Sequence, residues 1–213
     1  SIIATLANLF ESNNSDSFKA FVRDLTDELH IELGFEVKKD EELEIKEVRD
    51  TINKLRAKNL DDDDFIKKFS DIFKENKMES IPEGTFFSSI LFISALDETN
   101  KIETFLEKFE NAESPQMQGR YRAVLGQVRD QNASKKIVEF MLNGRIRGAD
   151  CPYILASMIT NKYIGKKSWK VIKENFNDLL SVMPDWTASR ILDALPAIYD
   201  EEFANDIKSF IKK

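Results

Sequence analysis

The feature that most constrains this chain is how little interrupts it: 213 residues contain only seven Gly and five Pro. Between these few breakers, apolar residues recur at i, i+3, i+4 and i+7, and the period-two alternation of strands is scarce. Phe18, Phe21, Val22, Leu25, Leu29 and Leu33 form one such stripe, and Ile45, Val48, Ile52 and Leu55 form another. A chain of this kind has to fold as amphipathic helices that cover one another's apolar faces.

Capping chemistry sets the boundaries. Ser114-Pro115 and Asp150-Cys151-Pro152 place a cap-forming side chain beside a helix-start proline, Pro184-Asp185 opens a further helix, and Gly34, Gly144 and Gly148 mark ends or turns. The pattern predicts helices over 2–12, 16–33, 43–59, 61–76, 82–96, 99–111, 115–128, 131–143, 149–161, 164–182, 184–198 and 200–212. Taken in twos these are six hairpins, and their first helices recur every ~33 to 39 residues, the period of a helical solenoid without a strict consensus. The apolar run Phe86–Leu96 reads as a buried helix, and the acidic segment Lys38–Glu44 as a mobile loop. Stacked hairpins leave a concave face, where function is expected. The whole chain reads as one domain.

Charge divides the sequence more sharply than its net value of −7 suggests. Residues 1–114 carry 15 Lys and Arg against 27 Asp and Glu, whereas residues 115–213 carry 16 against 11. That balance disfavours general nucleic-acid binding, and suits a local site for an anionic group in the second half. No apolar run reaches the ~18 residues of a membrane span. The opening SIIATLANLFESNNSDS has no signal-peptide pattern, and the single cysteine gives no internal disulfide, so the expected setting is cytoplasmic.

The residue counts remove most catalytic chemistry. A zinc site of the H-E-x-x-H kind needs two imidazoles one helical turn apart, and the chain has only His30, which reads as a partly buried helix residue. Cys151, before Pro152 at a helix start, reads as a small residue of the cap region. The run Asp61-Asp62-Asp63-Asp64 lacks the alternation and turn glycine of a calcium loop and reads as capping with a solvated face. No Gly-rich phosphate loop, Ser-His-Asp set or dinucleotide fingerprint is present. Trp169 and Trp186, with Phe176 and Phe210, read as core packing.

What remains is a set of arginines: Arg120, Arg122, Arg129, Arg145, Arg147 and Arg190. A guanidinium binds a carboxylate through two parallel hydrogen bonds, so members on a concave face would hold an anionic ligand end, while any others would be solvated or paired at the surface.

The segment from Ser114 to Leu155, SPQMQGRYRAVLGQVRDQNASKKIVEFMLNGRIRGADCPYIL, resembles the C-terminal helical domain of the M1-family zinc aminopeptidases, of the puromycin-sensitive and endoplasmic-reticulum type. The shared order is a Pro-led helix with Arg120-Tyr121, the turn Arg129-Asp130, the basic Arg145-x-Arg147 and then Asp150-x-Pro152. Asn161, Gly165, Trp169, Phe176, Leu179, Arg190-Ile191 and Glu202-Phe203 to Phe210 continue it, and LGFEVKKDEELEIKEVRDTI resembles the loop and Arg-containing helix upstream. Full members carry H-E-x-x-H and G-x-M-E-N, and Lys77-Met78-Glu79-Ser80 matches the second only as an echo.

The resemblance implies an all-α, HEAT/armadillo-like superhelix of about six antiparallel hairpins forming a concave bowl. It implies the C-terminal lid of an aminopeptidase whose catalytic part is not in this chain, with no cofactor here and zinc in that absent part. Implied partners are the other domains of the same polypeptide and peptide substrates, with the tricorn protease added if the chain is of the tricorn-interacting type. By position, Arg145, Arg147 and Arg190, with Arg120 and Arg122, are the peptide-binding candidates. Two other readings compete: a stand-alone HEAT-like interaction scaffold, and a HEAT-like DNA glycosylase, which the acidic first half disfavours.

Overall fold

A computed structural model describes residues 16–75, 78, 81, 84–198 and 200–212. Among these residues every regular element is helical, and the all-α class read from the sequence is what the chain adopts. The helix expected over 2–12 lies outside the described residues, as does the Lys77–Ser80 fragment apart from the buried Met78. The chain divides into two compact units, residues 13–100 and a second one built mainly from residues 101–213.

The first unit contains α1 (Asp16–Leu33), α2 (Leu43–Asn59), α3 (Asp63–Lys74) and α4 (Thr85–Ser94). α1 packs on α2, and α4 on both α2 and α3. Phe65, Ile66, Phe69 and Phe73 bury one face of α3, and α4 buries Phe87, Ile90, Leu91 and Ile93, as expected of its apolar run. Each such side chain contributes ~1.5–3 kcal/mol of burial. The aspartate run acts as a helix start: Asp62 accepts from the Phe65 N–H at 2.9 Å, and Asp61 pairs with Lys19 at 3.0 Å.

The loop between α1 and α2 differs from the mobile segment expected of its composition. Arg49 on α2, only 1% exposed, holds both carboxylate oxygens of Glu41 and donates from Nε to the Leu33 carbonyl at 3.2 Å. Asn53 Nδ2 donates to the Phe35 carbonyl at 3.2 Å. A run of charges looks solvated in sequence, yet one of its members, Glu41, is held by a buried arginine. The Arg49 guanidinium in turn holds the Glu41 carboxyl below its ordinary pKa.

The second unit contains α5 (Ile102–Glu110), α6 (Pro115–Leu125), α7 (Ala133–Leu142), α8 (Cys151–Ile159), α9 (Gly165–Glu174), α10 (Phe176–Val182), α11 (Thr187–Asp193), a 3-10 turn (Leu195–Ala197) and α12 (Glu201–Ile211). Its packing alternates. α5, α7 and α9 touch in succession, α6, α8 and α11 do the same, and pairs such as α5 with α6 and α8 with α9 join the two rows.

That is the layering of stacked hairpins, and polar contacts repeat at the same step. Ser134 and Ser168 hydroxyls meet at 2.8 Å across 34 residues, and Asn161 Nδ2 donates to the carbonyls of Gly126 and Val128, both at 3.0 Å, across 35 and 33. Close approach demands glycine at one joint: a Cβ on Gly148 would sit 2.1 Å from the Val182 carbonyl oxygen.

Two expected helices are shorter or broken. The one over 164–182 divides at Asn175, whose side chain donates back to the Val171 carbonyl at 2.8 Å and whose backbone leaves the helical region. This is the local competition between a short amide and the helix ladder. Pro184 does not open a helix; its carbonyl accepts the Thr187 N–H at 3.0 Å and the Thr187 hydroxyl at 2.6 Å, so α11 begins only at Thr187. α11 stops before Pro196, which has no N–H to continue it.

Candidate functional site

All the nominated arginines belong to the second unit, and their environments separate them. α6 begins where the sequence placed it, with the Ser114 hydroxyl accepting from the Met117 N–H at 3.1 Å and Pro115 in the first turn. It carries Arg120, which is half-buried, and Arg122. Arg122 Nη1 donates to Asp150 Oδ1 at 2.5 Å, and Arg147 Nε donates to Asp150 Oδ2 at 2.9 Å. Asp150, expected to cap α8 with its side chain, makes no such cap bond: its backbone is already in the helical region, and both of its oxygens accept from guanidinium groups.

Arg145 is engaged as well. Its Nε and Nη2 grip the two oxygens of Glu110, and its guanidinium lies 3.6 Å over the Phe140 ring. Arg129 is buried, 4.1 Å over Tyr163. In each of Arg122, Arg145 and Arg147 the fork that would receive a ligand carboxylate is shared with, or spent on, a carboxylate of the protein. Arg147, 74% exposed, keeps the most surface of the three.

Arg190 on α11 is different. Its side chain is exposed, and among the described residues its guanidinium has no carboxylate partner; it rests 4.8 Å from the Tyr153 ring centre instead. Tyr153 and Trp186 stand edge to face, centroids 5.7 Å apart, and are 53% and 44% exposed. Packing of α11 on α8 brings the three together. The result is an aromatic shelf beside a cation, which can stack on an apolar or π-bearing group while presenting a fork to an anion.

The sequence reading placed Trp186 in the core with Trp169, and only Trp169 is there. Trp169 is 2% exposed, packs edge-on against Phe210 at 5.4 Å and donates from its indole N–H to Asp206 at 2.7 Å, while Phe176 meets Phe210 at 5.1 Å. The position of Tyr153 has a signal in the sequence. Cys151, Pro152, Ile154, Leu155, Met158 and Ile159 keep one buried phase along α8, and Tyr153 falls out of it as a large aromatic on the solvent side.

Cys151 on the same helix is fully buried, burial pushes its thiol up to about 12, and its Sγ donates to the Arg147 carbonyl at 3.4 Å, so it offers no thiolate. Among the described residues no three His, Cys, Asp or Glu side chains converge to hold a metal ion. A groove of about 570 Å³ between α7 and α9, with Lys135, Glu139 and Glu174 at its walls, mixes both signs of charge and selects for neither. No described helix is long and apolar enough to cross a membrane.

Comparison with known proteins adds the family. No curated protein matches the chain, but the family model described as the ERAP1-like C-terminal domain matches residues 1–213.

Proposed function

Because this chain belongs to the ERAP1-like C-terminal domain family, we propose that it is the lid of a peptide-trimming aminopeptidase and that it contacts the end of the peptide distant from the bond being cleaved. In this reading the helical hairpins wall a cavity, the zinc chemistry belongs to the catalytic part of the same polypeptide, and the enzyme works in the cytoplasm on peptides rather than on folded proteins. The partners are the other domains of that polypeptide and the peptide itself; no observation speaks for the tricorn protease.

The observation that carries the reading is the contrast among the arginines. Of the five peptide-binding candidates, Arg122, Arg145 and Arg147 are engaged by Asp150 or Glu110, and Arg120 is half-buried on α6. Arg190 alone combines exposure and an aromatic support, Tyr153, with the lack of a carboxylate partner among the described residues. We assign it the peptide carboxylate, with the rings of Tyr153 and Trp186 lying along the last side chain. Charge-assisted hydrogen bonds to such a group are worth ~1.5–3 kcal/mol, or about tenfold or more in affinity.

The test uses the full-length enzyme and pairs of peptides that differ only in a free or an amidated C-terminus. Wild type is expected to favour the free acid by about tenfold in KM, and Arg190→Ala to abolish that preference. An undiminished preference in Arg190→Ala removes the assignment. A full-length polypeptide with no aminopeptidase activity would favour the scaffold reading instead.

A further inference from the structure

The seam between α1 and α2 holds a group that no peptide-binding role uses. Asp27 on α1 pairs with Arg56 on α2, and Arg56 Nη1 also donates to the Thr26 hydroxyl at 2.9 Å. That hydroxyl in turn donates to the Val22 carbonyl at 2.6 Å, so this cluster ties the body of α1 to the last turn of α2. One turn further along α1 stands His30. Its ring meets the edge of Phe65 at 5.4 Å, and its Nδ1 is buried with no hydrogen-bond partner among the described residues.

Four charged groups face the imidazole: Asp27 from its own helix, Arg56 from α2, and Asp62 and Lys68 from the start and body of α3. Two are cations and two are anions, so charge balance alone would leave the ring near its ordinary value. Burial comes first among the influences and Arg56 second, and together they push the His30 pKa below 6.5.

We propose that His30 is a proton-operated latch on the α1–α2 seam. Neutral, it leaves Asp27 to Arg56 and keeps its edge against Phe65. Protonated, it sets an imidazolium beside the Arg56 guanidinium and competes for Asp27 at the i, i+3 spacing of its own helix, which loosens the tie between helices. The proton binds more readily when the seam is open. The latch therefore holds fully above about pH 6.5 and weakens as pH falls through that value toward the lowered pKa of the closed form.

His30 is the only histidine among these 213 residues, and in the full polypeptide its ring C–H resonances are identified as those missing from His30→Gln. In wild type the NMR titration should have a midpoint below 6.5; Arg56→Gln should raise it and Asp27→Asn should lower it. Amide protection in α1 should drop between about pH 7.5 and 5.5, tenfold for each unit of pKa depression, and the drop should vanish in His30→Gln. A wild-type midpoint at or above 6.5 overturns the latch even if a variant fails to fold. So does the same loss of α1 protection in His30→Gln.

Discussion

Arg49 and Arg190 are the same side chain in opposite circumstances. In the first unit, Arg49 is buried, grips both oxygens of Glu41 and closes a loop on its own helix. In the second, Arg190 is exposed and lies on Tyr153. The acidic half of the chain uses Arg49 as an internal staple, whereas in the basic half Arg190 has no carboxylate partner among the described residues. What distinguishes a structural cation from a binding one is whether the protein has already provided its anion, which charge counting along the sequence does not reveal.

The sharpest way to break this comparison is Arg49→Ala. It strands the Glu41 carboxylate and should cost ~3–5 kcal/mol of stability, read from the urea midpoint; a loss under ~1 kcal/mol would mean that Glu41 reaches water and that Arg49 is no staple. The two tryptophans give a parallel pair. Trp169→Ala should cost ~3–5 kcal/mol through its cavity and the loss of its bond to Asp206. Trp186→Ala should stay within about 0.5 kcal/mol of wild type while weakening peptide binding in the full enzyme. Equal destabilisation by both would return Trp186 to the core.

Smaller effects sharpen the contrast further. Gly148→Ala forces a methyl group against the Val182 carbonyl and should cost ~1–3 kcal/mol by overpacking, seen as a lower Tm. In the first unit, burial raises the pKa of the Asp97 carboxyl, but bonds from Ser70, Thr99 and Lys74 outweigh it and hold the group at about 2, below its ordinary 3.8. Its contribution to stability is therefore complete above about pH 4 and lost as pH falls through 2, so Asp97→Asn should flatten the acid limb of a stability–pH curve in that window. Least of all, Arg190→Ala should move stability by no more than about 0.5 kcal/mol. A larger loss would show that this arginine, too, is structural.

Much of the architecture was legible before any coordinates. The apolar phase of α3, the Ser114-Pro115 start of α6 and the apolar run that became α4 each follow from side-chain spacing, because helix periodicity and caps are local. The misses were of two kinds, one local and the others made by residues from neighbouring segments. Asn175 split a helix by bonding to its own backbone, Asp150 left its cap for two guanidinium groups, and the Lys38–Glu44 loop was anchored by Arg49. Of the candidate site, the sequence nominated Arg190 among equals; it did not place Tyr153 or Trp186 beside it.

Composition and periodicity by themselves determined that this protein is built of helices, that its halves differ in charge, and that a two-histidine zinc motif is absent from its residues. Which arginine is free to meet a ligand was decided only when α8 and α11 packed together and brought Arg190 onto Tyr153, while the turn before α8 delivered Asp150 to Arg122 and Arg147. Spacing fixes the face of a helix on which a side chain stands, because that is set within a few residues. For Arg122 and Arg145, whether an opposite charge waits there depends on segments 28 and 35 residues away, and only the folded chain brings those within hydrogen-bonding distance.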